Sequence, residues 1–183
     1  MTNEFDSVPE CVAALKKGEI VILVDSSERE NEGDFVILAS KATKEKINFM
    51  VKQARGLLCI SISAKKANNL GLHKMVGNTD KFQTPFTVSV DAKTASTGVS
   101  VEDRLKTIKL FCSKKAKPSD FVKPGHLFPL VSKIHGVLER QGHTEGSLDL
   151  VKLAANTDSD AAVIIEIMNE DGSMARLPDL VRV

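Results

Sequence analysis

Apolar positions recur along this chain with two periods, one near 3.6 and one near 2, and they divide it into helices and strands. Ser7-Val-Pro-Glu10 has the form of a capped helix start, with Pro9 in the first turn and Glu10 three places after the cap. Val12, Ala13 and Leu15 give that helix an apolar side until Gly18 ends it. EIVILV at 19–24 and DFVILA at 34–39 read as buried strands joined by a polar loop, DSSERENEG. Thr43 caps a second predicted helix that runs to about Arg55, with Ile47, Met50, Val51 and Ala54 on one side and Gly56 as its breaker. LLCISI at 57–62 is a third strand, and residues 64–70 a short helix. Residues 71–84 show no period, whereas Phe86 to Val90 alternate as a strand.

Ser100-Val-Glu-Asp103 is a further capping box, predicting a helix through Leu110. Pro118, Pro124 and Pro129 predict loop over 114–129. Val137 and Leu138 suggest a short strand, 144–155 a helix, and AVIIEI at 162–167 the last strand. No repeat, low-complexity tract or Pro/Gly linker interrupts the 183 residues. The expectation is one domain over 1–183, of mixed α+β type within the α/β class, with helices covering a mixed sheet.

Composition narrows the function. Lys and Arg number 25 against 24 Asp and Glu, so no global field favours nucleic acid or an anionic membrane. Trp and Tyr are absent, which removes the usual stacking platforms for single strands. The apolar run Ala161 to Met168 is short and contains Glu166, so it does not read as a membrane span. The acidic start MTNEFDSVPE lacks the apolar core of a signal peptide, and Cys11, Cys59 and Cys112 form no CxxC. Together these favour a cytoplasmic protein with reduced thiols.

Several segments offer chemistry. Asp25, Glu28, Glu30, Glu32 and Asp34 crowd around Arg29, a set that fits either a hard divalent cation or a solvated acidic loop. Arg140-Gln-Gly-His-Thr144 places a cation, a glycine and a hydroxyl before a helix, where backbone N–H groups attract phosphate. The bland alternative makes Thr144 a helix cap and Arg140 a surface charge. Three of the four histidines adjoin glycine: His126, His135 and His143. Glu166 shares a strand face with Ile164 and Met168, so it is either a desolvated proton-transfer group or a strand end facing solvent. Ser96-Thr97-Gly98 is a hydroxyl-rich turn before a helix, suited to phosphate or to nothing in particular. Taken together, the residues point to a divalent-metal enzyme for a small phosphorylated substrate.

Six blocks then occur in order: RENEGD at 29–34, TPFTVSVDA at 84–92, STGVSVEDR at 96–104, KPGHLFPL at 123–130, RQGHTEGSLDL at 140–150 and IIEIMNEDGSMARLPDL at 164–180. In these the chain resembles the 3,4-dihydroxy-2-butanone 4-phosphate synthases of riboflavin synthesis. The resemblance implies conversion of D-ribulose 5-phosphate to L-3,4-dihydroxy-2-butanone 4-phosphate and formate. It implies dependence on Mg²⁺ and no organic cofactor; because Mg²⁺ prefers oxygen to the nitrogen of His143, Mn²⁺ is expected to substitute. It also implies a homodimer with sites at the subunit interface, and neither nucleic acid nor membrane as a partner.

Carried over by motif, Glu30 and His143 are the implied metal ligands. Arg29, Glu30 and Asp34 are implied substrate contacts, and Arg140, Thr144 and Thr97 implied phosphate contacts. His126 and Glu166 are the implied proton-transfer pair, with Glu166 also touching substrate. Cys59 resembles a pocket-wall cysteine without a chemical role. The chain departs from the family pattern at Ser26 and Ser27, where acids are usual, and at Ala95, where a threonine is usual. Relatives usually continue beyond Leu-Val-Arg-Val, and some are fused to a GTP cyclohydrolase II domain. A non-catalytic module of the same fold is the rival reading, opposed by the intact set of implied site residues.

Overall fold

The structure is a computed structural model and describes residues 5–77, 79, 81–155 and 161–182. Its elements follow in the order α1 (Val8–Lys17), β1 (Val21–Val24), β2 (Gly33–Leu38), α2 (Lys44–Ala54), β3 (Cys59–Ser63), α3 (Ala64–Asn69), β4 (Val90–Ala92), α4 (Val101–Cys112), β5 (Phe121–Ser132), α5 (His143–Ala155), β6 (Ala162–Glu166) and α6 (Leu177–Leu180). The strands form one six-stranded sheet in the order β1-β2-β6-β3-β5-β4. Only β3 and β5 run parallel; the remaining neighbours are antiparallel. The expected α/β fold with a mixed sheet is therefore what the chain adopts.

Alternation along the strands sends side chains to two separate cores. Phe35, Ile37, Ile60, Ile62, Val163 and Ile165 pack with Ile47, Met50, Ile108 and Phe111 of α2 and α4. Val36, Leu38, Cys59, Ala162 and Ile164 pack on the opposite face with Leu15 of α1 and Leu148, Val151 and Ala154 of α5. Both faces are covered, which explains why β2 and β6 read as unbroken apolar runs rather than as alternating ones. By contrast β1, expected to be buried, is a half-buried edge strand, because a sheet neighbour covers only one of its sides.

Local chemistry sets the helix ends. Glu10 accepts from the Ser7 backbone N–H at 2.8 Å and from its hydroxyl at 2.6 Å, and Gly18 takes the left-handed conformation (φ 84°) that closes α1. Thr43 and Ser100 accept from the N–H groups of Lys46 and Asp103. At α2 it is Arg55 (φ 66°), not Gly56, that turns left-handed and ends the helix.

Three expectations need correction. Residues 121–132 form the long strand β5 rather than loop, despite Pro124 and Pro129. The register against β4 slips between Val90 and Asp91, and Pro124 falls within the slipped stretch, outside the paired positions. Pro129 keeps its place because its carbonyl still accepts from the Thr87 N–H at 2.9 Å, while the N–H of neighbouring Phe128 donates to Leu58, the residue before β3. The strand expected at 86–90 is reduced to isolated bridges at Phe86 and Thr87 followed by β4. Val137 and Leu138 belong to a 3₁₀ turn rather than a strand. Among the described residues, no helix is long and apolar enough to cross a membrane.

Candidate active site

Asp34 is the second residue of β2 and Glu166 the last of β6, and the ladder sets them directly opposite each other. Period 2 puts both on the face of Val36 and Ile164, the face that α5 covers. The start of α5 therefore meets two carboxylates at one end of the sheet. A cavity of about 190 Å³ lies there, lined among others by Arg29, Glu30, Asp34, Arg140, His143, Thr144 and Glu166.

The acidic loop is built by Asp25, whose side chain is only 4% exposed. Its carboxylate accepts from the backbone N–H groups of Glu30 (3.0 Å) and Glu32 (2.9 Å) and from Arg29 (2.7 Å). Arg176, the N-cap of α6, clamps the same loop by donating to the carbonyls of Glu30 at 2.7 Å and Asn31 at 2.5 Å. So held, Glu30 points Oε2 to within 3.3 Å of His143 Nδ1, while its other oxygen accepts from Arg29 at 2.8 Å. Asp25, Glu30 and His143 each offer one ligand atom, and these lie within 4.8 Å of one another. Two carboxylates and one imidazole suit a divalent cation, although the nitrogen is unusual for Mg²⁺. All three are already engaged: Asp25 accepts from Arg29 and two backbone N–H groups, Glu30 faces Arg29 and His143, and His143 Nε2 lies 3.2 Å from the Glu32 carbonyl. By sequence Asp25 belongs to the acidic loop, and the crowding of acids is the one local signal for its place beside Glu30 and His143.

Electrostatics follow from this packing. Burial disfavours the His143 imidazolium. The hydrogen bond to Glu30 and the charges of Asp34, Asp25 and Glu30 outweigh burial and raise its pKa to about 9. Burial would raise Glu30, but His143 and Arg29 hold it below the usual carboxylate value. Asp34 goes the other way: complete burial pushes it up to about 7, with Glu166, Glu30 and Glu32 adding to the shift against His143. Among the described residues, Asp34 Oδ1 has no hydrogen-bond partner. A buried acceptor facing a polar cavity is a position that a ligand hydroxyl satisfies.

At the other end of the cavity, Arg140 is fixed by Glu145, which is fully buried and accepts at 2.6 Å. Arg140 also donates twice to the Phe82 carbonyl, at 3.2 and 3.0 Å. Three of its N–H groups are thus engaged, and a guanidinium has two more to offer an anion. The helix α5 begins at His143, so Thr144 lies inside the first turn rather than at the cap. Glu166 Oε2 accepts from the Leu57 N–H at 2.8 Å. Gly56 packs so tightly against it that a Cβ there would meet the Glu166 carbonyl and carboxylate. Cys59 lies in the apolar core beneath the cavity, where burial pushes its thiol well up.

Two expected residues stand apart. His126 and Thr97 do not line this cavity. His126 sits on β5 with its ring bonded to Asp91, and Thr97 is exposed on the turn that packs against that pair. His126 and the turn carrying Thr97 therefore make a second cluster within this chain.

The chain is similar in sequence and fold to proteins of known type. The model of the family "3,4-dihydroxy-2-butanone 4-phosphate synthase" matches residues 9–183. The riboflavin biosynthesis protein RibBA of Bacillus subtilis is 50% identical over 180 residues, which are 98% of this chain and 45% of that protein. A 3,4-dihydroxy-2-butanone 4-phosphate synthase of Helicobacter pylori is 53% identical over 94% of this chain and 50% of its own. The chain thus spans about half the length of these curated relatives. A crystal structure of a 3,4-dihydroxy-2-butanone 4-phosphate synthase in complex with two magnesium ions superposes with a TM-score of 0.85 at 38% identity, covering 94% of this chain and 82% of that one. Matched in sequence from α1 to its last residue and in fold across the sheet that carries the cavity, this chain belongs to the 3,4-dihydroxy-2-butanone 4-phosphate synthase family.

Proposed function

We propose that this chain converts D-ribulose 5-phosphate to L-3,4-dihydroxy-2-butanone 4-phosphate and formate, a step of riboflavin synthesis, with Mg²⁺ and without an organic cofactor. One observation carries the reading: the Glu30–His143 ligand pair and the Arg140–Thr144 corner open on the same cavity. A relative that holds two magnesium ions supports a metal here, and Mn²⁺, which accepts imidazole more readily, should also serve.

The residues divide the work. Arg140 and Thr144 hold the phosphate, and Asp34 and Arg29 orient sugar hydroxyls. Glu166, fixed by the Leu57 N–H, takes or returns a proton at carbon. A divalent cation at Glu30 and His143 would supply positive charge to the sugar oxygens, making a neighbouring C–H more acidic. His126, the second proton-transfer group, comes from the other cluster. We take the working unit to be a homodimer in which the Thr97–His126 end of one copy closes the cavity of the second. The nearly bare Leu138 (93% exposed) and Ile134 (79%) support a covered surface beside α5. Neither nucleic acid nor a membrane enters this account, which suits the cytoplasm.

The test is an assay of formate from D-ribulose 5-phosphate. Mg²⁺ or Mn²⁺ should support it, and excess chelator should stop it. Formate that survives both Glu166→Gln and His126→Ala would overturn the assignment of roles.

The His143 shift gives a further prediction. A metal ion binds only neutral imidazole, so below about pH 9 it must displace a proton. Mg²⁺ affinity should rise about tenfold per pH unit from pH 7 to near 9, then level off. The metal-free fold has the opposite dependence. Its folded-state pKa is raised above the unfolded value of about 6.5, so this stabilisation is full below that value and is lost as pH rises through about 9. Calorimetry in buffers of different ionisation enthalpy should show about one proton released per bound ion at pH 7. Binding with no proton release would contradict His143 as a ligand.

A further inference from the structure

We infer that Asp91 is a positioning residue that fixes the tautomer and direction of the His126 ring. The inference rests on the reading of His126 as a proton-transfer group. The side chain of Asp91, on β4, is 8% exposed, whereas that of His126 is 44% exposed. The carboxylate grips His126 twice. Its Oδ1 accepts from the His126 backbone N–H at 2.9 Å, and its Oδ2 lies 2.7 Å from ring Nδ1. A carboxylate can only accept, so the proton of a neutral ring sits on Nδ1 and the lone pair on Nε2.

The surrounding structure holds this pair rigidly. The register of β4 against β5 slips between Val90 and Asp91, immediately beside the gripping carboxylate. Gly98, left-handed at φ 85°, lies against both groups, and a Cβ there would meet Asp91 Oδ2 and His126 Nδ1. The turn carrying Gly98 is tied down in turn by buried Asp103, which accepts from Ser96 Oγ at 2.5 Å and from the Gly98 N–H at 3.3 Å. Nothing in the metal cluster needs this arrangement. It leaves Nε2 as the basic atom of His126, and a proton acceptor whose tautomer is fixed loses nothing to reorganisation.

Asp91→Asn separates positioning from packing. The His126 N–H keeps the amide oxygen on Oδ1, so the NH₂ group must face ring Nδ1. The forced partner is an Nδ1 acceptor, which moves the ring proton to Nε2. Nitrogen NMR of the ring in the Mg²⁺-loaded protein should show the Nδ1–H tautomer in wild type and Nε2–H in Asp91→Asn. The kcat for formate release should fall about 100-fold or more with KM little changed, since the wrong tautomer leaves binding geometry intact. An Nε2–H ring in wild type, or an unchanged tautomer in Asp91→Asn, overturns the inference. So does a reversed tautomer with full activity, provided that His126→Ala is inactive. If His126→Ala is itself active, the reading of His126 fails instead, and the NMR result alone decides what Asp91 holds.

Discussion

Replacing Glu166 by Gln should lower kcat for formate release by about 10²–10⁴-fold while leaving the fold and the substrate KM nearly unchanged. Gln fills the same volume, and its amide oxygen can still accept from the Leu57 N–H that Glu166 binds at 2.8 Å. What is lost is the ability to carry a proton. Stability should not suffer, because Glu166 faces Asp34 across the β2–β6 ladder. Buried Asp34 is pushed up to about 7 first by desolvation and then, against His143, by Glu166 and two other carboxylates. Removing one of those charges relieves the repulsion. Formate assay and calorimetry together check both halves: a dead enzyme with an undiminished Tm is expected. A loss of Tm matching the loss of rate would make Glu166 a structural residue.

Glu145→Ala should be the most destabilising change in the site. Glu145 is fully buried in the first turn of α5, bonded to Arg140 at 2.6 Å and to the Lys133 N–H at 3.1 Å. Its removal leaves a mostly buried guanidinium without its counter-charge and a backbone donor without its acceptor. Breaking such a pair costs about 3 kcal/mol or more, or roughly 6–12 °C in Tm for a chain of this size. Arg140 would also lose its aim. A phosphate contact acts on ground state and transition state alike, so KM for D-ribulose 5-phosphate should rise more than kcat falls. Thermal unfolding and initial rates measure the two effects. A variant with unaltered KM would show that Arg140 does not hold the phosphate.

Glu145 also marks where sequence reading stops. Its motif was visible, but nothing local says that the residue after Thr144 turns inward to hold Arg140. The same holds for Asp91, which acts on a residue 35 positions away. Such pairings are made by the sheet, and a sheet joins segments that share no local pattern. Elements with local chemistry fared better. Ser7, Thr43 and Ser100 announced three helices through their own hydroxyls, and the apolar runs of β2, β3 and β6 announced the centre of the sheet. Strand β5 was hidden because Pro124 and Pro129 look like breakers, and only the slipped register and the outward bonds of residue 129 make room for them. Val137 and Leu138 misled in the opposite sense: side chains that look like strand are bare on a 3₁₀ turn. The acidic loop and the start of α5 were both legible as candidates. That they meet, with Asp25 as the organiser, followed only from the pairing of β1, β2 and β6.

The central claim is that one sugar phosphate touches the cation site and the Arg140 corner together. Binding of D-ribulose 5-phosphate to the Glu166→Gln protein, with and without saturating Mg²⁺, tests it without interference from turnover. If both sites serve one ligand, Mg²⁺ should tighten binding by about tenfold or more, and the sugar phosphate should tighten Mg²⁺ by the same factor. Equal affinity in the presence and absence of Mg²⁺ would contradict the account.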